Sequence, residues 1–261
     1  ENNIFTVVEI EDLATAVKNS DNLPVSVKDF GAAGDGSTDD TNAIQNAVDS
    51  LTDGGRLYFP KGTYKITDTI RIYKSIILQG DGSQVDEGTE IINEETHKTA
   101  FWVGDDGSVG AQRRADRVWF RDLYIEHHGV ETGTGSNITG GWAIHFNNSP
   151  YSGCQNVYIN CKSTGYGGIL FGTQKVKDGA KNNTDLPLGE PDEENNNSYL
   201  GTLQNCRINN PKKFGIRVNS SGSTWNFNYT HCSSSVAGAI AARLETKFVH
   251  IDGGQYGGGN L

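Results

Sequence analysis

The sequence has little proline, no methionine and no long apolar run. It contains 6 Pro against 33 Gly in 261 residues and shows no Gly-X-Y period, which excludes collagen and Pro-rich disorder. The longest apolar runs are about five residues, too short to cross a membrane. Lys and Arg never cluster beyond a dipeptide and the net charge is −10, so neither nucleic acid nor an anionic membrane is expected as a partner.

Cysteine is also scarce, and no Cys-x-x-Cys spacing occurs among the four, so a zinc site is not predicted. Two disulfides remain open as an alternative. We expect buried reduced thiols instead, because a packed Cys behaves as a small hydrophobic residue. The four residues are Cys154, Cys161, Cys206 and Cys232.

The two ends of the chain differ from its middle. The chain begins at Glu1 with no apolar signal segment and closes on Gly-rich residues, so we expect a piece of a longer chain. Residues 1–24 predict a neck or linker, and residues 25–261 predict the N-terminal part of one domain. Apolar residues recur with helical period after Asp40 and stop before Gly54-Gly55, which predicts one helix at about residues 40–52.

After this helix the sequence consists of short runs rich in Val, Ile, Phe and Tyr, separated by Gly, Asn, Asp and Ser, which is typical of many brief strands. Two patterns repeat among them. The first is a small residue, Ile, an outward position and an apolar residue, with Ile spacings of 25, 47 and 24. It occurs at residues 143–146, 168–171, 215–218 and 239–242.

The second pattern is an inward, outward, inward triplet at residues 123–125, 157–159, 206–208 and 249–251. Two strand motifs per period of about 22 to 25 residues indicate a solenoid whose turns stack strand on strand, about 4.8 Å apart. Asn156 and Asn205 precede inward residues, where they suit tight corners and stacked amide ladders. The sequence therefore predicts an all-β parallel β-helix.

The segment Val25 to Thr67 carries a recognisable motif. It reads Val-Lys-Asp-Phe-Gly-Ala, then Gly-Asp-Gly-Ser-Thr-Asp-Asp-Thr, an Ala-Ile-Gln helix, and Gly-Gly-Arg-Leu-Tyr-Phe-Pro-Lys-Gly-Thr-Tyr. This resembles the entry segment of the pectate-lyase-like superfamily of right-handed parallel β-helices. The resemblance implies an α-helix that caps the N-terminal end of the coil. The superfamily includes polyuronate lyases, glycoside hydrolases, epimerases and bacteriophage tailspikes, so the motif is specific for the fold and not for the reaction.

The acidic residues of this motif have two interpretations. Asp35, Asp39 and Asp40 could bind a metal, but we expect Asp39 or Asp40 to cap the N-terminus of the helix. No metal or other cofactor is predicted from them. The polar insertion from Gln174 to Ser198 predicts a recognition or subunit-contact loop; its oxygen ligands leave Ca²⁺ open, although the DxDxDG spacing is absent.

Hydrolysis of a glycosidic bond needs two carboxyl groups, whereas a lyase needs a base and help for the sugar carboxylate. The second pattern gives an outward column of Glu126, Asn160, Asn209 and Asp252, whose acids are too far apart, and the first gives His145, Leu170, Arg217 and Ala241. No same-face carboxylate pair is therefore evident inside the repeats. The dense polar cluster beside the strand at residues 117–126 supplies the candidate catalytic residues: Asp122, Glu126, His127 and His128.

The candidate substrate-binding residues are outward-facing aromatic or polar side chains that could contact a sugar: Trp119, Tyr124, His145, Tyr158 and Arg217. The missing secretion signal and the linker favour a phage tailspike that binds and depolymerises a bacterial surface polysaccharide. The resemblance implies a homotrimer, attached to other tail proteins in the virion tail, outside the cell. Two alternatives stay open: a receptor-binding or structural tail appendage without catalysis, and a secreted polysaccharide lyase or hydrolase.

Overall fold

The computed structural model describes residues 23–94, 98–104, 114–130, 141–172, 200–219, 224–246 and 249–259. The predicted insertion and nearly all of the predicted neck lie outside these residues. The described part holds a 3₁₀ helix at Val27–Phe30, one α-helix, α1, at Thr41–Ser50, and 20 strands. The strands are β1 Val25–Ser26, β2 Asp35–Asp39, β3 Arg56–Phe59, β4 Gly62–Ile66, β5 Ile70–Ile72, β6 Ile77–Gly80, β7 Thr89–Asn93, β8 Phe101–Gly104, β9 Trp119–His127, β10 Trp142–Asn147, β11 Gly153–Asn160, β12 Gly167–Gly172, β13 Thr202–Gln204, β14 Arg207–Asn209, β15 Phe214–Asn219, β16 Trp225–Asn228, β17 His231–Ala237, β18 Ile240–Glu245, β19 Val249–Asp252 and β20 Gln255–Gly259.

The strands stack in parallel into three faces of a coil, as the repeats predict. The first face runs β1, β3, β6, the first half of β9, the first half of β11, β13, β16 and β19. The second runs β2, β4, β7, the second halves of β9 and β11, β14, β17 and β20. The third is a separate sheet of β5, β8, β10, β12, β15 and β18. The chain is a parallel β-helix.

Inward side chains of successive turns form ladders that fill the coil. On the second face, one ladder joins Tyr64, Ile91, Ile125, Ile159 and Ile208, all without exposed surface. On the third face, another joins Ile70, Phe101, Ile144, Ile169 and Ile216. Because alternate residues of a strand point to opposite sides, each inward ladder leaves the flanking positions on the outer surface. The inner ladders thus determine which polar residues share an outer face.

Helix α1 begins after Asp40 and buries Ile44, Ala47 and Val48 in the core of the coil. The Gln45 amide donates to the carbonyl of Arg71 and accepts from its N–H, which satisfies backbone groups of β5. Covering a strand edge in this way protects unpaired backbone groups. These contacts fit the predicted capping helix, and its capping role stays a prediction.

The acidic motif before α1 organises the backbone. Asp40 occupies the N-cap position, but its carboxylate accepts hydrogen bonds from the N–H groups of Ala33 and Gly34 at 2.6 and 3.0 Å. Asp39 Oδ1 accepts from Thr41 N–H at 3.0 Å. Asp40 is thus the N-cap residue, one of the two predicted, but its side chain makes no capping hydrogen bond; the bond to the helix N-terminus comes from Asp39, one residue earlier. Asp35 accepts from the N–H groups of two residues in its own turn, which lowers the pKa of its carboxyl well below its usual range.

A left-handed residue forms the corner between the first and second faces in successive turns. Asp122, Asn156 and Asn205 have φ of 53°, 53° and 50°. Asn156 Nδ2 donates to Asp122 Oδ1 at 2.8 Å, and Asn205 Nδ2 donates to Asn156 Oδ1 at 2.9 Å. Asn and Asp tolerate this backbone conformation better than most residues. The amide ladder predicted for the two asparagines is confirmed.

The predicted registers hold in the middle of the coil and fail at its last turns. Ile216 pairs with Ala242, not with Ile240, so the column of Arg217 continues to Arg243. Asp252 pairs with Asn228 on the first face and does not belong to the Glu126 column. The four cysteines are free and buried, as expected. No described helix is long and apolar enough to cross a membrane.

Candidate functional site

Two columns of outward side chains run side by side along the second face. Residue pairing across β4, β7, β9, β11 and β14 fixes them, because each is flanked by inward residues of the core ladder. The first column contains Thr63, Glu90, Tyr124, Tyr158 and Arg207; the second contains Lys65, Ile92, Glu126, Asn160 and Asn209.

The carboxyl group of Glu126 contacts two basic side chains on this face. Its Oε2 lies 2.9 Å from Lys162 Nζ, and its Oε1 lies 2.8 Å from His128 Nε2. Its side chain is 15% exposed, whereas those of Lys162 and His128 are 44% and 32% exposed. The hydrogen bond to Glu126 raises the pKa of Lys162, since the carboxylate favours the charged ammonium. The structure therefore brings together the predicted site residues Glu126 and His128 and adds Lys162.

Glu90 is the acid that the sequence interpretation missed. It lies on the turn next to Glu126, two residues away along the strand, because Tyr124 pairs with Glu90 and Glu126 pairs with Ile92. Glu90 is 8% exposed, and Thr63 Oγ1 donates to its Oε2 at 3.3 Å. Burial raises the pKa of Glu90, opposed by the Thr63 hydrogen bond and reinforced by the charge of Glu126. The two repeat patterns do not include Glu90, so a same-face pair that was not evident inside the repeats is completed by an acid outside them.

Glu90 and Glu126 lie in different columns, on a diagonal, so comparing the residues within one column does not reveal the pair. A spacing signal was nevertheless present. Glu90 precedes Tyr124 by 34 residues, and Tyr124 precedes Tyr158 by 34 residues, while each strand alternates outward and inward side chains. Extending the second repeat pattern backward by one such interval would have found β7 and its acid.

Tyr124 and Tyr158 are neighbours in the first column and make an edge-to-face contact, with ring centroids 5.0 Å apart and an interplanar angle of 86°. Asn160 Nδ2 donates to the Tyr124 hydroxyl at 3.2 Å, and a matching bond from Asn209 reaches Tyr158 at 2.9 Å. Tyr124 is only 2% exposed, so it is not the exposed aromatic surface that the sequence predicts. Tyr158 is half-buried, and the Arg207 guanidinium lies 5.3 Å from its ring centroid.

Asp122 and Trp119 lie away from this pair. Asp122 is a member of the corner ladder, where it accepts a hydrogen bond from Asn156. Trp119 precedes that corner on the first face, and the Arg121 guanidinium lies 5.5 Å from its ring. The corner bends β9, so that its first half pairs with β6 and its second half with β7. The structure does not group these two residues with Glu126.

The remaining three predicted site residues are buried. His127 has no exposed surface, its Nδ1 lies 3.1 Å from Asn93 Nδ2, and burial lowers its pKa to about 4. His145, on the third face, also has no exposed surface; burial lowers its pKa to about 4, and its Nε2 lies 2.7 Å from the Gly172 carbonyl oxygen. Arg217 is 1% exposed, with its guanidinium 5.5 Å from the Phe214 ring.

The expectation that His145 and Arg217 face solvent is therefore wrong. Both point to the outer side of the third face, but aromatic side chains pack there. Trp102 lies 4.2 Å from the His145 ring, and a second hydrophobic cluster surrounds Phe214. That cluster consists of Trp142, Tyr166, Leu170 and Phe214.

The described residues contain no group of three or more His, Cys, Asp or Glu side chains placed to hold a metal ion. The second face instead offers one carboxyl group, Glu126, bonded to two basic side chains, beside a second, Glu90, that is nearly buried and accepts one side-chain hydrogen bond within the described residues. Paired carboxyl groups with different surroundings can divide the roles of proton donor and charged partner. Acid–base chemistry on a glycosidic bond uses a pair of carboxyl groups.

Residues 24–249 match the family described as rhamnogalacturonase A/epimerase, pectate lyase-like, and the chain belongs to that family. A capsule K30/K69-specific depolymerase of Klebsiella phage K64-1 is 27% identical over 225 residues, which cover 85% of this chain and 24% of that protein. A probable glucan endo-1,3-beta-glucosidase of Arthroderma benhamiae is 30% identical over 148 residues, covering 54% and 17%.

The chain thus spans about a quarter or less of the length of these curated relatives. Among solved structures, the pre-mature bacteriophage phi29 gene product 12 is similar, with a TM-score of 0.60 and 17% sequence identity. The similarity covers 86% of this chain and 27% of that one. At this identity it supports the parallel β-helix fold and nothing finer.

Proposed function

We propose that the chain is part of a phage tail protein that binds and degrades a bacterial surface polysaccharide on its second face. The observation that carries the proposal is the outward pair Glu90 and Glu126, with Lys162 and His128 bound to Glu126. The match to a pectate-lyase-like family and the likeness to a phage capsule depolymerase support the substrate class.

The second face suits an extended chain better than a small molecule. Its outward columns run across consecutive turns, and strand stacking spaces their members about 4.8 Å apart. The tyrosine and arginine of adjacent turns continue the same surface beyond the carboxyl pair. A polymer lying along the coil axis would contact several of these positions at once.

The test is incubation of the 261-residue chain with a panel of purified capsules, O-antigens, alginate and β-1,3-glucan. Cleavage is followed by release of reducing ends, and binding by depletion of protein on immobilised polysaccharide. We expect Glu126→Gln to abolish cleavage. Asp252→Asn, which changes an exposed acid on the first face, is the matched control and should cleave normally. Binding without cleavage would support the appendage alternative. The absence of both binding and cleavage would contradict the proposal.

Location and assembly belong to the same proposal. The phage relative supports a place in the virion, outside the cell. The homotrimer bound to other tail proteins is proposed from the resemblance to tailspikes alone. Light scattering on the purified chain would give the mass of three chains. A Ca²⁺ requirement is not part of the proposal, and activity is expected to survive chelation by EDTA.

A further inference from the structure

We propose that Glu90 donates the proton and Glu126 is the ionised partner in a hydrolytic reaction at the second face. The inference rests on the proposed function and deepens it by assigning the reaction type and the role of each acid. It comes from the difference between the surroundings of two carboxyl groups on neighbouring turns, β7 and β9.

Glu90 has the surroundings of a neutral acid. Its side chain is more than nine-tenths buried, and its only hydrogen bond within the described residues is the 3.3 Å contact from Thr63. No Lys, Arg or His of the described residues forms an ion pair with it. An ionised carboxylate loses much of its hydration when buried and keeps its charge only if hydrogen bonds or cations replace the water.

Glu126 has the opposite surroundings. Two basic side chains, Lys162 and His128, reach its two oxygens at 2.9 and 2.8 Å. Each carboxyl oxygen of Glu126 therefore has a basic partner within hydrogen-bond distance, which Glu90 lacks among the described residues. Its charge in turn disfavours ionisation of Glu90.

The other charges that face Glu90 do not make it easier to ionise than Glu126. Asp86, before β7, reinforces the raised pKa of Glu90. Lys162 opposes it, but this ammonium is bonded to Glu126. Lys65, on β4, is paired with Glu94 at 2.7 Å. Among the described residues these charges leave Glu90 the harder of the two carboxyl groups to ionise, and we assign the proton of the pair to it.

The placement of the pair also fits hydrolysis. Strand stacking of about 4.8 Å and an offset of two residues at about 3.3 Å each put the two backbone positions about 8 Å apart. Inverting glycosidases, in which water adds directly to the sugar, hold their carboxyl groups about 6.5 to 9.5 Å apart. Glu90 would give its proton to the glycosidic oxygen as the bond from that oxygen to the anomeric carbon breaks. Water would form the new bond to this carbon and release its proton to Glu126. Both carboxyl groups return to their starting states by exchanging one proton with solvent.

β-Elimination fits the same residues less well. A lyase needs a base beside the sugar C5 and a free cation for the sugar carboxylate. Lys162 and His128 are both bonded to Glu126, and Lys65 is bonded to Glu94. The remaining cation of the two columns, Arg207, lies two turns beyond Glu126, on β14. The arrangement therefore favours hydrolysis, and the products should lack the double bond that elimination creates.

The test compares wild type, Glu90→Gln, Glu126→Gln and the Asp252→Asn control on the polysaccharide of the panel that wild type cleaves. Glu90→Gln should lower kcat by about 100-fold or more with KM changed by less than about threefold, because the proton donor is lost and the shape is kept. Its pH profile should lose the limb on which activity falls as pH rises through the pKa of Glu90. Asp252→Asn should retain wild-type kinetics.

Each other outcome has a separate meaning. Cleavage by Glu90→Gln within about threefold of wild type would overturn the inference and leave the proposed function standing. Products that carry the ultraviolet absorbance of an unsaturated uronate would overturn hydrolysis alone. Binding without cleavage by wild type would overturn both proposals.

A second measurement needs no substrate. Carboxyl ¹³C NMR of glutamate-labelled protein, assigned with Glu90→Gln, should show Glu90 titrating above the usual glutamate range. Glu126→Gln should shift that titration to lower pH, because it removes the neighbouring negative charge. Titration of Glu90 at or below the usual range would overturn the inference, whatever the substrate proves to be.

Discussion

The corner ladder gives a prediction whose magnitude can be worked out from its contacts. Asn156→Ala removes two hydrogen bonds, to Asp122 at 2.8 Å and from Asn205 at 2.9 Å. At about 1 kcal/mol each, these contribute about 2 kcal/mol. Alanine at φ 53° adds about 1 kcal/mol, because its Cβ disfavours the left-handed conformation. We therefore expect the free energy of unfolding to fall by about 3 kcal/mol.

The same reasoning predicts the coupling between neighbouring corners. Asn205→Ala removes the shared hydrogen bond and also places alanine at a left-handed φ, so it should cost about 2 kcal/mol. The double variant should cost about 1 kcal/mol less than the sum, since the shared bond is lost only once. Urea unfolding followed by tryptophan fluorescence measures all three. Asn42→Ala, an exposed change on α1, is the control and should shift stability by about 0.5 kcal/mol or less. Strict additivity, or a cost for Asn156→Ala no larger than the control, would refute the reasoning.

Three further perturbations test the packing of the coil. Gly153→Ala would drive a Cβ into the backbone oxygen of Thr202 on the facing strand, whereas Gly257→Ala would meet nothing within 4 Å. Only the first should lower the free energy of unfolding, by about 2 kcal/mol or more, measured in urea. Equal stabilities would contradict the close approach. Burial lowers the pKa of His145 from the ordinary value of 6.5 to about 4 in the folded chain. As pH falls, the unfolded chain therefore binds a proton at this residue first, and the free energy of unfolding decreases from about pH 6.5 downward. The loss from this group between about pH 7 and 5 should be about 2 kcal/mol and should vanish in His145→Gln; an unchanged pH dependence would show that the imidazole is not buried. The four cysteine thiols are buried and free, and burial raises their pKa, so a thiol reagent should label none in the native protein and all four in urea. Labelling without urea would contradict their burial.

Local chemistry made much of the fold predictable. Corner asparagines, inward Ile residues and the acidic motif before α1 each depend on neighbours close in sequence or on a regular repeat. The helix at Thr41–Ser50 lies within the predicted residues 40–52 for the same reason. The predicted strand register was wrong in the last turns, where the residues of the repeat no longer differ in character. In the last turn, Ala and Ile are both apolar, so the pattern could not decide whether Ile240 or Ala242 faces Ile216.

The site was less predictable, because it depends on what neighbouring turns contribute. The alternation placed His145 on the outer side of its strand, but its burial depends on contacts such as that with Trp102, on another turn. Glu90 and Glu126 are neighbours only through the pairing of β7 with β9, which the spacing of 34 residues implies but single-column reasoning did not test. Lys162 reaches Glu126 from beyond the end of β11, and no outward column contains it.

The most direct test of the central claim is the molar mass of a polysaccharide that the chain binds, followed over time by size-exclusion chromatography with light scattering. With wild type, we predict a continuous fall in molar mass. With the Glu90→Gln, Glu126→Gln double variant, the mass should stay constant while binding persists. A polysaccharide that binds wild type and keeps its full mass would contradict the claim that the second face degrades it.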